Sequence, residues 1–124
     1  MTAAPALILF GHGARDPEWV QPLRAVRDLV AAAHPDSRVE LAFLEFMSPD
    51  LPTRVAELVS AGVTQVTVLP MFIAQGGHLK RELPEMLVAL RAAHPGLNVE
   101  LMPAIGTTDR VIAAMAAQAA DYLS

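Results

Sequence analysis

The sequence predicts an α/β fold: a single-domain, flavodoxin-like three-layer sandwich with a four-stranded parallel sheet and helices on both faces. Three observations predict it. Strand and helix signals alternate along the 124 residues. The strand segments are continuous apolar runs, as expected of strands covered on both sides. The connections between elements are short, and right-handed crossovers then set the strands parallel with helices above and below.

Each element has its own signature. Ala6–Phe10 is an unbroken apolar run and the first strand. Asp16-Pro17-Glu18 supplies an N-cap, a proline at the first helical position and an acid in the first turn. Trp19, Leu23, Val26, Leu29, Val30 and Ala33 follow at helical spacing, and the helix stops near His34-Pro35. Val39–Phe46 is the second strand. Ser48-Pro49 opens a second helix that carries Leu51, Val55, Leu58 and Val59, with Gly62 as its C′ residue. Val63–Met71 is the third strand. A glycine-containing loop leads to a third helix striped by Leu79, Leu83, Met86, Leu87 and Leu90. Pro84 is expected near the first turn of that helix, because a proline deeper in would break it. Val99–Pro103 is the fourth strand. Thr107 or Thr108 caps a last helix carrying Val111, Ile112, Met115, Ala119 and Tyr122.

A weak internal echo accompanies the alternation. Ala32-Ala33-His34-Pro35 with Val39-Glu40-Leu41 returns as Ala92-Ala93-His94-Pro95 with Val99-Glu100-Leu101. Two similar βαβ units in one sheet would produce it.

Composition narrows the function classes. Hydrophobic residues are 53% and aromatics 5%, so the core is aliphatic. Charged residues are 18% and the formal net charge is −4, which argues against disorder and against a nucleic-acid footprint. With no cysteine, a metal must be held by His and carboxylate. Ala6–Phe10 is too short for a signal segment, and no run approaches the roughly 18 apolar residues of a membrane helix. The expectation is a soluble, cytoplasmic protein of one domain spanning 1–124.

His12 and His78 carry the functional reading. Each follows an apolar strand, His12 within Gly11-His12-Gly13 and His78 after Gly76-Gly77. In open parallel sheets, ligands bind beyond the carboxyl ends of the strands, near a switch in strand order. Two imidazoles there can bind a borderline divalent metal, and neutral imidazole accepts protons near neutral pH. Two or three ligands leave coordination positions open, as a catalytic or transient site requires. Glu45, a carboxylate at the end of an apolar strand, is the third candidate; it faces either the same cleft or solvent. His34 and His94 each precede a proline at a helix end and read as structural caps. Arg15, Lys80 and Arg81 lie close to the two histidines in sequence and are either solvated surface or holders of an acidic ligand. The methionines read as core filler and Trp19 as helix packing.

A resemblance sharpens this. Leu9-Phe10-Gly11-His12-Gly13-Ala14-Arg15-Asp16-Pro17 resembles the first signature of the class II tetrapyrrole chelatases of the CbiX/SirB type. Phe43-Leu44-Glu45-Phe46 with Pro49 resembles their second. Pro70-Met71-Phe72, Gly77-His78, Arg81 and Leu83-Pro84 resemble the third, and Pro103-Ala104-Ile105-Gly106 the fourth-strand ending. The resemblance implies a chelatase-like domain that inserts a divalent metal (Co²⁺, Fe²⁺ or Ni²⁺) into sirohydrochlorin, an octacarboxylate, in cobalamin or sirohaem-type biosynthesis. The metal is then a co-substrate, with no prosthetic group. It implies His12 and His78 as metal ligands, His12 as proton acceptor, and Glu45 as a contact to metal or substrate. Ile73, Ala74, Gln75, Gly76, Gly77 and His78 would line the substrate pocket, with Arg15 and Arg81 on substrate carboxylates. A single half-length unit would pair as a homodimer. The chain departs from the family at Ala14, where Ser is frequent, and at Gln75, where some short relatives carry another His.

Two other classes remain at this level. A carrier of divalent metal or tetrapyrrole would use the same histidines without catalysis. A histidine phosphatase also has a His after its first strand, but it uses Arg-His-Gly, and Gly11 precedes His12 here.

Overall fold

A computed structural model of the chain describes residues 4–123. Residues 1–3 and 124 of the expected domain lie outside the described residues. Strands β1 (Ala6–Gly11), β2 (Arg38–Phe43), β3 (Gln65–Pro70) and β4 (Asn98–Leu101) form one parallel sheet in the order β2-β1-β3-β4. They alternate with helices α1 (Gln21–Ala33), α2 (Leu51–Ser60), α3 (Gly77–Ala93) and α4 (Asp109–Ala120). This is the expected α/β architecture. Strand β1 is central, with Leu9 in register with Leu41 on one side and Leu69 on the other. The chain leaves β1 for β2 and then crosses back to β3. The order therefore reverses between β1 and β3, which opens a crevice at their carboxyl ends.

Alternating side chains feed two cores. On one face, Ile8, Phe10, Ala42, Val66, Val68 and Val99 pack under α2 and α3, whose Leu51, Val55, Leu58, Leu83 and Leu87 are buried. On the other, Leu9, Val39, Leu41 and Phe43 lie under Leu23, Val26 and Val30 of α1 and under Trp19. Each fully buried Leu or Phe side chain contributes about 1.5–3 kcal/mol relative to exposure.

The boundaries differ from the sequence reading in instructive places. Asp16 caps as expected, accepting from the Glu18 N–H at 2.9 Å, but the turn that it opens, Pro17–Val20, is a 3-10 turn ahead of α1. Leu29, read as part of the apolar stripe, is exposed. Strand β2 ends at Phe43, three residues short of Phe46, because the ladder is redirected there. The Phe43 N–H takes the Pro49 carbonyl, and Leu44 and Glu45 reach back to the carbonyls of Gly11 and His12. Ser48-Pro49, a cis peptide, does not open α2. Asp50 does, accepting from the Thr53 N–H at 2.9 Å. Gly62 follows α2 at φ 90°, where the C′ residue was expected. Strand β3 is shorter than Val63–Met71, and β4 stops at Leu101.

Pro84 lies inside α3, well beyond the first turn. It deprives the Lys80 carbonyl of a helical partner, and both residues sit on the exposed side, where that loss is least costly. Thr108 occupies the N-cap position of α4, but its hydroxyl donates back to the Ile105 carbonyl at 2.7 Å.

The largest departure is α4 itself. None of its residues is buried, and Ile112, Met115 and Tyr122 are exposed. Its neighbours are the short turns Ile105–Thr107 and Asp121–Leu123 that flank it. The stripe from Val111 to Tyr122 therefore does not cover the sheet, and Thr67, Leu69 and Met71 on the α1 side stay only half-buried.

The internal echo is real in three dimensions. His34 and His94 are the C-cap residues of α1 and α3, with backbone angles of −133°, 68° and −133°, 77°. Their N–H groups donate to Val30 and Leu90, each four residues back.

Candidate functional site

His12, Glu45 and His78 line one cavity of about 580 Å³, together with Leu44, Gly76, Leu79 and Glu82. The cavity lies beyond the carboxyl ends of the strands, between the residues that follow β1 and β2 and the start of α3. His12 directly follows β1, and its ring stands 4.7 Å from that of Phe72, tilted by 41°. Phe72 is buried and also meets Phe10 edge-on, so the imidazole rests on a rigid aromatic floor.

The loop holding His12 is clamped to the loop holding Glu45. The Glu45 N–H donates to the His12 carbonyl at 3.0 Å. Gly13, at φ 85°, lies so close that a Cβ there would collide with the Glu45 carbonyl oxygen. Only glycine meets both conditions. Glu45 is thus in the turn after β2 rather than in the strand, with its carboxylate exposed at the cavity.

His78 is in the first turn of α3. Its Nε2 lies 3.0 Å from Oε2 of Glu82, one turn further on. The His78 side chain is 83% exposed and that of Glu82 41%. Glu82 was missed by the sequence reading, although its spacing of four residues from His78 on a helix was the available signal.

The remaining candidates lie around rather than in the cavity. Of the loop from Ile73 to His78, only Gly76 and His78 line it; Ile73 and Ala74 are exposed and Gln75 is half-buried. The loop is pinned from behind. The Gly106 N–H donates to the Phe72 carbonyl at 2.9 Å, and a Cβ at Gly106 would strike the Ile73 backbone. Arg15, Lys80 and Arg81 are exposed and make no ion pair among the described residues. The Arg15 guanidinium carbon stands 5.0 Å from the ring centroid of Phe46. Phe46 is 56% exposed and has φ 66°.

Chemically, the cavity offers two imidazoles and two carboxylates, with three cations near them in sequence that make no ion pair among the described residues. Among the described residues, no three His, Asp or Glu side chains stand close enough together to hold an ion. The arrangement is open, as for an ion that arrives and leaves. No helix among the described residues is long and apolar enough to cross a membrane.

The profile of the CbiX family matches residues 6–122. A sirohydrochlorin cobaltochelatase of Methanococcus maripaludis is 34% identical over 82 residues, covering 66% of this chain and 57% of that protein. One from Methanocaldococcus jannaschii is 32% identical over 89 residues, covering 72% and 62%. The chain thus spans less than two thirds of either relative. Among solved structures, a cobalamin (vitamin B12) biosynthesis CbiX protein from Marinobacter aquaeolei VT8 is 29% identical, with a TM-score of 0.84 over 96% of this chain and 97% of that one. The sirohydrochlorin chelatase SirB of Bacillus subtilis subspecies spizizenii, in complex with cobalt, is 25% identical, with a TM-score of 0.74 over 95% of this chain and 50% of that one.

Proposed function

The chain belongs to the CbiX family, and from that premise we propose that it is a chelatase inserting a divalent metal into sirohydrochlorin. The observation that carries this reading is the shared cavity of His12, Glu45 and His78 at the strand-order switch. The metal is a substrate here, and Co²⁺ is favoured by the names of the relatives, with Fe²⁺ and Ni²⁺ also suited to two imidazoles. The reading takes residues 1–124 as one catalytic unit working in the cytoplasm, which the absence of cysteine supports.

His12 and His78 hold the incoming ion. Two ligands bind it weakly enough to release it to four pyrrole nitrogens. As the ion enters, two pyrrole N–H protons leave, so charge balances across the exchange. His12, steadied on Phe72, takes one of them once it has given up the ion, the other passes to solvent through the open cleft, and Glu45 contacts the metal or the macrocycle beside it. Ile73, Ala74, Gln75, Gly76 and Gly77 border the substrate, while Arg15 and Arg81 reach its carboxylates.

The functional unit is a homodimer. The exposed apolar residues of α4 and the half-buried strip Thr67, Leu69 and Met71 support this, because a second copy would cover both.

The test follows the colour of sirohydrochlorin as Co²⁺ is added, with and without protein. The protein is expected to accelerate the spectral change, and His12→Ala and His78→Ala each to cut that acceleration by on the order of 10²-fold or more, the range of a lost proton acceptor or ligand. Full activity in both variants would refute the site. Binding of metal or tetrapyrrole without acceleration would leave a carrier. Rates across Co²⁺, Fe²⁺ and Ni²⁺ identify the metal.

A further inference from the structure

Phe46 sits in a strained turn with its ring outside the core. Among the described residues it is the one non-glycine with positive φ, a conformation that costs a bulky side chain free energy. That cost is not repaid by the core, since the ring is 56% exposed. It is imposed by the turn: Glu45 is tied to the His12 carbonyl and pressed against Gly13, and the next residue is thrown outward. Above the ring stands the Arg15 guanidinium, 5.0 Å from the centroid. Among the described residues Arg15 makes no ion pair and no side-chain hydrogen bond, which leaves its donors open to a ligand.

We propose that Phe46, with Arg15 beside it, is the platform on which the flat macrocycle docks, and so a specificity-determining residue. The exposed ring takes the π-face of the tetrapyrrole, and the guanidinium, held in place by its attraction to the ring, grips a peripheral carboxylate. The guanidinium lies over one face of the ring, so the macrocycle takes the other face, and a cation beside the stack matches a planar ligand rimmed by carboxylates. Glu45 lines the metal cavity and Phe46 follows it in the same turn, so the platform would stand at the border of the cavity rather than within it. The inference rests on the chelatase reading and adds the residue that recognises the substrate's shape.

Three substitutions test it in cobalt insertion into sirohydrochlorin at saturating Co²⁺. Phe46→Gly removes the ring and relieves the backbone. Phe46→Leu keeps apolar bulk without an aromatic plane, and Phe46→Tyr keeps the plane. The expected result is a KM for sirohydrochlorin raised about tenfold in the Gly and Leu variants, corresponding to one lost stacking contact, with kcat within about twofold of native. The Tyr variant stays within about twofold in both constants, the melting temperature of the Gly variant is no lower than native, and Co²⁺ affinity without tetrapyrrole is unchanged throughout. An unchanged KM in the Gly and Leu variants, an equal loss in the Tyr variant, or a fall in Co²⁺ affinity would each overturn the platform. If native protein itself fails to accelerate insertion, the chelatase reading falls and the platform with it. Native acceleration with an unmoved KM sinks the platform alone.

Discussion

His78 is the residue whose surroundings the structure changes most. In the sequence it is an imidazole after two glycines; in the fold its Nε2 faces the Glu82 carboxylate at 3.0 Å. A nitrogen that donates its proton to a carboxylate leaves the other ring nitrogen as the metal donor, and such carboxylates orient ligand imidazoles. Glu82→Ala is therefore expected to weaken Co²⁺ binding by about 10–100-fold, and Glu82→Gln, which can still accept from Nε2, to restore much of it. Equilibrium titration with Co²⁺ reads both, and equal affinities in all three proteins would remove Glu82 from the site. His12, Glu45 and His78 were legible in the sequence because each breaks an apolar or glycine-rich context. Glu82 and Phe46 were not, since one resembles ordinary helix surface and the other an ordinary strand residue. Glu82 had one signal, its spacing of four residues from His78 on a helix, whereas Phe46 is distinguished only by the Arg15 that folding brings over it.

Elements were legible in kind and less so at their ends. The run Val39–Phe46 reads as one strand because apolarity is continuous, yet the ladder stops at Phe43 and the last three residues serve a turn. Apolar character there belongs to the turn beside the cavity rather than to the sheet. The start of α2 shows the complementary case, in which Asp50 was overlooked beside the more conspicuous Ser48-Pro49. Hydrogen bonds from the Thr53 side chain, and next from its backbone N–H, hold the Asp50 carboxyl below its ordinary value of 3.8. A carboxyl lowered on folding stabilises the protein above its unfolded value and loses that contribution as pH falls through the lower folded value. Asp50→Ala is expected to cost about 1 kcal/mol at pH 7. Asp50→Asn retains a cap that does not titrate, so the native advantage over it should shrink below about pH 4. Urea midpoints at pH 7 and pH 3 measure both effects; an advantage constant between the two would show that the capping carboxylate is not linked to folding. Pro84 within α3 is a further limit of sequence reading, because solvent can tolerate on one side of a helix what a buried side could not.

For the molecule as a whole, the parallel sheet, its helices on both faces and the crevice at the strand-order switch all follow from the alternation of apolar runs and caps. What periodicity could not say is whether α4 covers this sheet. Its stripe was read as core, and the structure leaves it bare. In solution the protein is expected to have twice the 13.2 kDa mass of one chain, and Ile112→Glu with Met115→Glu to return it to one. Analytical ultracentrifugation decides this, and a native monomer at micromolar concentration would rule out the dimer. The turn Ile105–Thr107 gives that association a second meaning. It leads directly into α4, while Gly106 within it lies flush against the backbone of Ile73, at the start of the loop that ends in His78. Through that contact a dimer that held α4 would be expected to stiffen the loop as well, lowering the entropy that a ligand must forfeit in ordering it. Such linkage is reciprocal, so a macrocycle seated in the cleft would tighten assembly by the same factor that assembly tightens its grip on the macrocycle.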